Sequence, residues 1–272
     1  MSRHEGIEWL APASLVEALG RRAERADEAT VLAGGTFLGI LMNQGFLSPS
    51  TMLSLGGVPE LRGIEVVDGT LRLGAMVTHR ELERDERVRA GWPALAATFA
   101  LVASPRVRNQ ATVGGVLADA DYASDPPAVL RALGARVVLL STRGERSVGV
   151  GDLILGHYET CIAEDELLVE VRVPPCAGRA VYRKFRSRSS EDRPCVAVAA
   201  VDGDQGLRVV VGAVAETTQE LPDACALGPG AAGEIGHRYA EAIEPMNDSR
   251  GSAAYRRRVI AVEVRRALEQ LA

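Results

Sequence analysis

Two glycine-rich stretches hold the residues best suited to chemistry: Ala33-Gly34-Gly35-Thr36 and Thr112-Val113-Gly114-Gly115, about 80 residues apart. Each lies where an apolar run gives way to a polar turn. Glycine pairs let backbone N–H groups approach an anion with no Cβ in the way, and they accept the positive φ that such turns often need. A single Gly-Gly reads as an ordinary turn, but the two together read as opposite sides of a cradle for a nucleotide pyrophosphate. Neither has a lysine at P-loop spacing and neither completes G-x-G-x-x-G, so neither an ATPase nor a Rossmann site is indicated.

Other reactive residue types form no constellation. His4, His79, His157 and His237 are scattered, with no Ser/His/Asp triad, no H-E-x-x-H and no paired carboxylates, so no catalytic residue is assigned. Cys161, Cys176, Cys195 and Cys225 make no C-x-x-C pair and match neither zinc nor iron–sulfur spacing, so no metal ligand is assigned. His79 reads first as a surface or capping residue of a helix. Asp125, before Pro126-Pro127, stands at an N-cap position, and its carboxylate has lone pairs enough to bind a ligand hydroxyl too. Lys184 reads as one of a solvated cationic group with Arg183, Arg186 and Arg188. A chain without an acid–base engine suits a carrier whose cofactor supplies the redox chemistry.

The elements that must position these residues are legible in outline. Ser14 and Glu17 form an S-x-x-E capping box opening a helix through about Arg22. Residues 30–33 read as a strand and 37–42 as the helix behind it. The first Gly-Gly then sits at a helix N-terminus, where unpaired N–H groups and a partial positive charge favour an anion. Asp68-Gly69 between two apolar runs signals a hairpin, and Thr78 with Glu81 makes a second capping box. A helix over 128–133, a strand over 135–140, a turn at 142–145 and a strand over 166–173 follow, ending at the linker Pro174-Pro175. Beyond it, strands near 180–186, 195–201 and 207–214 read as an antiparallel meander, closed by helices near 231–243 and 252–271.

At 272 residues and 47% hydrophobic, the chain can bury a core of one large domain or of two to three lobes. A net charge of −5 gives no footprint for nucleic acid, and Arg21-Arg22 and Arg256-Arg257-Arg258 read as solvated helix faces. No apolar run approaches the ~20 residues that span a bilayer, and no signal-peptide core follows Arg3 and Glu5, so a soluble cytoplasmic protein is expected.

The text around the glycines resembles the FAD-binding medium subunit of molybdenum hydroxylases, the family of carbon monoxide dehydrogenase and xanthine dehydrogenase. The likeness runs through Pro12–Leu19, Val31–Thr36, Leu73-Gly74-Ala75-Met76-Val77-Thr78-His79, Val107–Gly115, Asp125–Ala128, Tyr182-Arg183-Lys184-Phe185 and Asp248–Arg257. It implies an α+β fold: a two-lobed FAD-binding domain of the vanillyl-alcohol-oxidase/PCMH type over 1–174, with lobes of about 1–57 and 58–174. A C-terminal α+β domain with an antiparallel sheet, of the carbon monoxide dehydrogenase flavoprotein type, would follow over 177–272.

The resemblance also implies non-covalent FAD, held by Leu32, Ala33, Gly34, Gly35, Thr36, Phe37 and Leu38 on one side. Thr78, Thr112, Gly114 and Gly115 would hold it on the other. Asp125 would bind sugar hydroxyls, Leu167 would pack on the ring system, and Lys184 would lie by the flavin's N1–C2=O edge. Electrons would come from [2Fe–2S] clusters of a small subunit, fed by a molybdenum-cofactor large subunit, and leave to NAD⁺, oxygen or another acceptor. Phe37 and Val116 depart from the family's pattern, each removing a side-chain hydrogen bond. A stand-alone flavin oxidoreductase and a flavin-free scaffold paralogue are the alternatives.

Overall fold

The computed structural model describes residues 6–26, 28–189 and 191–272. His4, with Arg3 and Glu5, lies outside the described residues. The fold is α+β, with three main sheets.

The first sheet is parallel, with Thr51–Ser54 between Glu8–Leu10 and Ala29–Leu32. The helix Leu15–Glu24 covers it, burying Ala18 and Leu19 with Leu53, Leu55 and Leu61. Ser14 caps that helix by accepting from the Glu17 N–H at 3.2 Å. The Glu17 carboxylate overshoots the expected box and takes the Ala13 N–H at 2.9 Å. Ala29–Leu32 then runs out at Ala33, and the helix Leu38–Asn43 begins just beyond the first glycine pair.

The second sheet has the order Ile64–Val67, Thr70–Gly74, Leu167–Val173, Arg136–Ser141 and Gly144–Gly149, antiparallel throughout. Asp68 and Gly69 join its first two strands with φ of 49° and 77°, the pair of positive angles that a two-residue hairpin matched to strand twist needs. The turn expected at 142–145 is shorter than that, because Gly144 already begins the next strand. Helices pack on one face, with Phe99, Leu117 and Leu130 in the shared core. Three of them, Glu86–Gly91, Pro93–Ala100 and Pro105–Arg108, lie in a stretch to which the sequence reading assigned no element.

The third sheet is the antiparallel meander Arg179–Phe185, Val196–Gly203 and Gly206–Gly212, with Gln219–Glu220 at its edge. Strand periodicity divides its side chains. Val198 and Ala200 enter the core with Ala232–Ala242 and Ala253–Leu271, whereas Ala199 enters the core shared with Pro126–Ala132. The expectation of a solvated Arg256 is overturned. Its side chain is fully buried, with Nη2 2.7 Å from Asp248 and Nη1 donating to the Met246 carbonyl at 2.7 Å. A guanidinium is tolerated there because a carboxylate and a carbonyl meet it inside. Arg22 also turns inward, donating to the Ala29 carbonyl at 2.8 Å.

Among the described residues no helix is long and apolar enough to cross a membrane, and no group of three His, Cys, Asp or Glu side chains is placed to hold a metal.

Candidate nucleotide site

A cleft of about 1030 Å³ runs between the first glycine pair and the second sheet, reaching Asp125 and Lys184. It gathers every predicted contact residue except Leu32 and Thr78. Leu32 lies below, its Cδ1 packed where a Cβ on Gly35 would reach, at 3.1 Å. The Thr78 hydroxyl is used elsewhere, accepting from the Glu81 N–H at 3.1 Å and donating to the Glu81 carboxylate at 2.8 Å.

The two glycine pairs do different things. Gly35 has φ +68°, and the helix Leu38–Asn43 opens three residues beyond it, the Gly39 and Ile40 N–H groups donating to the Gly35 and Phe37 carbonyls at 2.9 Å. Gly34 is needed for contact between the loops, because a Cβ there would stand 1.9 Å from the Gln110 carbonyl oxygen. The second pair is not a loop at all. Thr112 caps the helix Val113–Asp119, and Gly114 and Gly115 form its first turn without positive φ.

The N–H groups of that turn point into the protein. Val113 donates to the Val77 carbonyl at 2.9 Å, Gly114 to Ala75 at 2.8 Å, and Val116 to Thr112 at 3.1 Å. Gly115 donates to Thr112 Oγ1 at 3.1 Å. The expectation that both loops aim amides at a ligand is corrected for the second, whose amides are already bonded within the protein. The second pair contributes a side-chain-free wall. A pyrophosphate fits this arrangement, with glycine backbone free of side chains lining the cleft on both sides.

Asp125 and Lys184 meet at the cleft's other end. The Lys184 ammonium donates to Asp125 Oδ2 at 2.9 Å and to the Leu101 carbonyl at 3.1 Å, and Tyr182 Oη donates to Asp125 Oδ1 at 2.6 Å. Both members of the ion pair are buried, with side-chain exposures of 1% for Lys184 and 4% for Asp125. Burial rules out the alternative reading of Lys184 as one of a solvated cationic group, and the Asp125 side chain, expected as an N-cap, does not cap its helix. Burial pushes the Asp125 carboxyl up, opposed by Lys184 and the Tyr182 hydroxyl. Each oxygen keeps a lone pair for a further donor. Leu167, 2% exposed, also lines the cleft.

Sequence reasoning missed an aromatic stack at the rim. The Phe37 ring lies 5.2 Å from that of Tyr158 at 27°, and Tyr158 stacks in turn on His157 at 3.9 Å. Tyr158 sits at φ +62° in the tight turn between Ile154–Gly156 and Glu159–Thr160. Phe37 is thus held at the rim by ring packing. Asp119, also on the cleft wall, is pushed up to about 7 by burial and by Asp121 beside it. Nothing in the local sequence brings residues 37, 119 and 158 together.

His79, expected at the surface, is 1% exposed. Its Nε2 is 3.2 Å from the Thr112 carbonyl and its ring meets the edge of Phe99 at 4.7 Å. Burial, helped by the Arg108 charge and opposed by the Thr112 contact, lowers it from 6.5 to about 4. A folded-state value below the unfolded one means protonation favours unfolding. The contribution is complete above pH 6.5 and is lost as pH falls toward 4, by roughly 2 kcal/mol at pH 5. Urea unfolding should show that loss in the parent chain and a flatter profile in His79→Gln; equal profiles would refute it.

Comparison with known proteins identifies the family. Residues 5–176 match the family described as the FAD binding domain in molybdopterin dehydrogenase. The nicotine 6-hydroxylase medium subunit of Paenarthrobacter nicotinovorans is 32% identical, the alignment covering 96% of each chain. The carbon monoxide dehydrogenase medium chain of Hydrogenophaga pseudoflava is 33% identical over 96% of each. Quinoline 2-oxidoreductase from Pseudomonas putida 86 superposes with a TM-score of 0.92 at 31% identity, covering 99% of this chain and 98% of that one. With a match through most of its length and an α+β architecture shared from end to end, the chain belongs to the family of FAD-binding domains in molybdopterin dehydrogenases.

Proposed function

We propose that this chain is the FAD-binding electron-transfer subunit of a heteromeric molybdenum hydroxylase. The observation that carries the reading is the single cleft with a glycine-built amide loop at one end and the buried Asp125–Lys184 pair at the other. FAD, when bound, supplies the redox chemistry. The protein's part is to bind, orient and shield it. The amides following Gly34 and Gly35 receive the pyrophosphate, and Gly114 and Gly115 form the bare wall opposite. Asp125 offers its remaining lone pairs to sugar hydroxyls, Leu167 supplies apolar surface for the ring, and Lys184 brings positive charge toward it.

Relatives carrying the names medium subunit and medium chain support a heteromeric setting. In it, an iron–sulfur subunit delivers electrons from a molybdenum-binding subunit, and NAD⁺ or oxygen removes them. The cytoplasm is the proposed compartment, where the thiols of Cys161, Cys176, Cys195 and Cys225 stay reduced. The proposed domains are 1–174 and 177–272, with lobes of about 1–57 and 58–174 in the first. The end of the family match at residue 176 supports that division.

A site with a phosphate loop between two ends requires a dinucleotide. Heat or acid release from the purified chain, followed by chromatography, should yield stoichiometric FAD. Recovery of stoichiometric FMN would overturn the assignment.

A further inference from the structure

We infer that Arg193 is a phosphate-holding residue of this site, presented by Asp121 and by the ring of Phe37. The inference rests on the FAD reading and deepens it. A pyrophosphate diester brings two negative charges into a cleft whose wall already carries Asp119, Asp125, Glu166, Glu191 and Asp192. Backbone amides supply only partial charge, so a full cation beside the loop strengthens the hold on the dianion and offsets the acidic wall.

Four cationic side chains line the cleft. Lys184 is committed to Asp125 and to the Leu101 carbonyl. Arg250 is held by Asp248 at 2.6 Å and donates to the Tyr122 hydroxyl at 3.0 Å. Arg22 is bonded to Ala29 on the strand below.

Arg193 differs in both place and exposure. Its guanidinium carbon lies 6.0 Å from the centroid of the Phe37 ring, and Phe37 directly follows the Gly34-Gly35-Thr36 loop. One nitrogen pairs with Asp121, whose side chain is 1% exposed, while the Arg193 side chain stays 42% exposed. Asp121 is itself fixed by the Ala123 N–H at 2.9 Å. A guanidinium has five N–H donors in a planar fork. Pairing with Asp121, bonding the Tyr158 side chain and resting on an aromatic face orient the fork, and of its five donors some remain for a second anion, whose geometry phosphate matches. Phe37, whose side chain has no hydrogen-bonding group, thus serves the site as the platform for a charged one.

The test uses the full 272-residue chain stripped of flavin, titrated with FAD at several salt concentrations and with ADP as competitor. Arg193→Gln should weaken FAD and ADP by about ten- to a hundredfold. It should also flatten the salt dependence of FAD binding, since a screened charge–charge contact has been removed. Arg193→Lys should keep the salt dependence while losing the fork geometry. Because Arg193→Gln leaves Asp121 buried without its partner, the pair Asp121→Asn with Arg193→Gln provides a neutral background in which the same flattening is expected. Unchanged FAD affinity, or weaker affinity with the parental salt dependence, would overturn the inference. A parent chain that binds no FAD would instead overturn the reading on which it rests.

Discussion

Replacing Lys184 with methionine is expected to destabilise the chain by about 3–5 kcal/mol, the cost of leaving one member of a buried ion pair without the other. Asp125 would keep only the Tyr182 hydroxyl, at 2.6 Å, as a side-chain partner, and burial already disfavours its ionised form. The Leu101 carbonyl would lose its 3.1 Å donor as well. Asp125→Asn combined with Lys184→Met removes both charges together, and it should recover much of the loss because the desolvation cost of the pair goes with them. Urea unfolding of the parent, both single variants and the double variant gives the coupling directly. If Lys184→Met alone unfolded like the parent, the pair would be solvated rather than buried.

That pair also shows where sequence reading stops. Local devices were legible because their whole physics lies within a few residues. Asp68-Gly69 makes its hairpin, Thr78 and Glu81 make their capping box, and the Pro174-Pro175 break separates two sheets. The C-terminal meander was legible for the same reason, strand following strand through short turns. The Glu86–Arg108 helices carry local signals too, Asp85 as an N-cap and Pro93 and Pro105 at helix starts, but each helix is too short for its apolar period to stand out.

What the sequence withheld was partnership at a distance. Lys184 stands beside Arg183 and Arg186 in the chain and therefore looked solvated, but strand alternation turns it toward Asp125, 59 residues away. Arg256 is followed by two more arginines, and only the fold puts Asp248 and Met246 around it. The glycine pairs look alike as text. They differ because Thr112 starts a helix whose amides bond back to Val77 and Ala75, a fact that depends on residues nearly 40 positions earlier. The resemblance supplied Asp125, Leu167 and Lys184, which no local pattern would have joined.

Gly34→Ala should therefore do more damage than Gly35→Ala, although Gly35 is the one with positive φ. At Gly35 the penalty is conformational, roughly 1–2 kcal/mol for an L-residue in the left-handed region. The new methyl meets only the flexible end of Leu32 there, at 3.1 Å. At Gly34 the new atom would stand 1.9 Å from a backbone carbonyl, that of Gln110, which cannot swing aside as a side chain does. The segment leading to the Thr112 cap must move instead, at a cost of about 3 kcal/mol or more, the upper end of overpacking.

The movement would separate the amide loop from the bare wall, so the Gly34 variant should also lose flavin, whereas Gly35→Ala should keep part of it. Gly114→Val belongs with Gly34. Its Cβ would lie 2.7 Å from that of Ala75, so it should fail through packing and not through φ. Gly39→Ala is the control: nothing lies within 4 Å of its Cβ, and it sits in the helix behind the loop, where alanine should stabilise by about 0.5–1 kcal/mol. Urea unfolding and flavin-to-protein ratios on the four variants measure both effects. A Gly34→Ala chain with parental stability and full flavin would show that the loops do not need this contact, and the cradle would have to be sought elsewhere in the cleft.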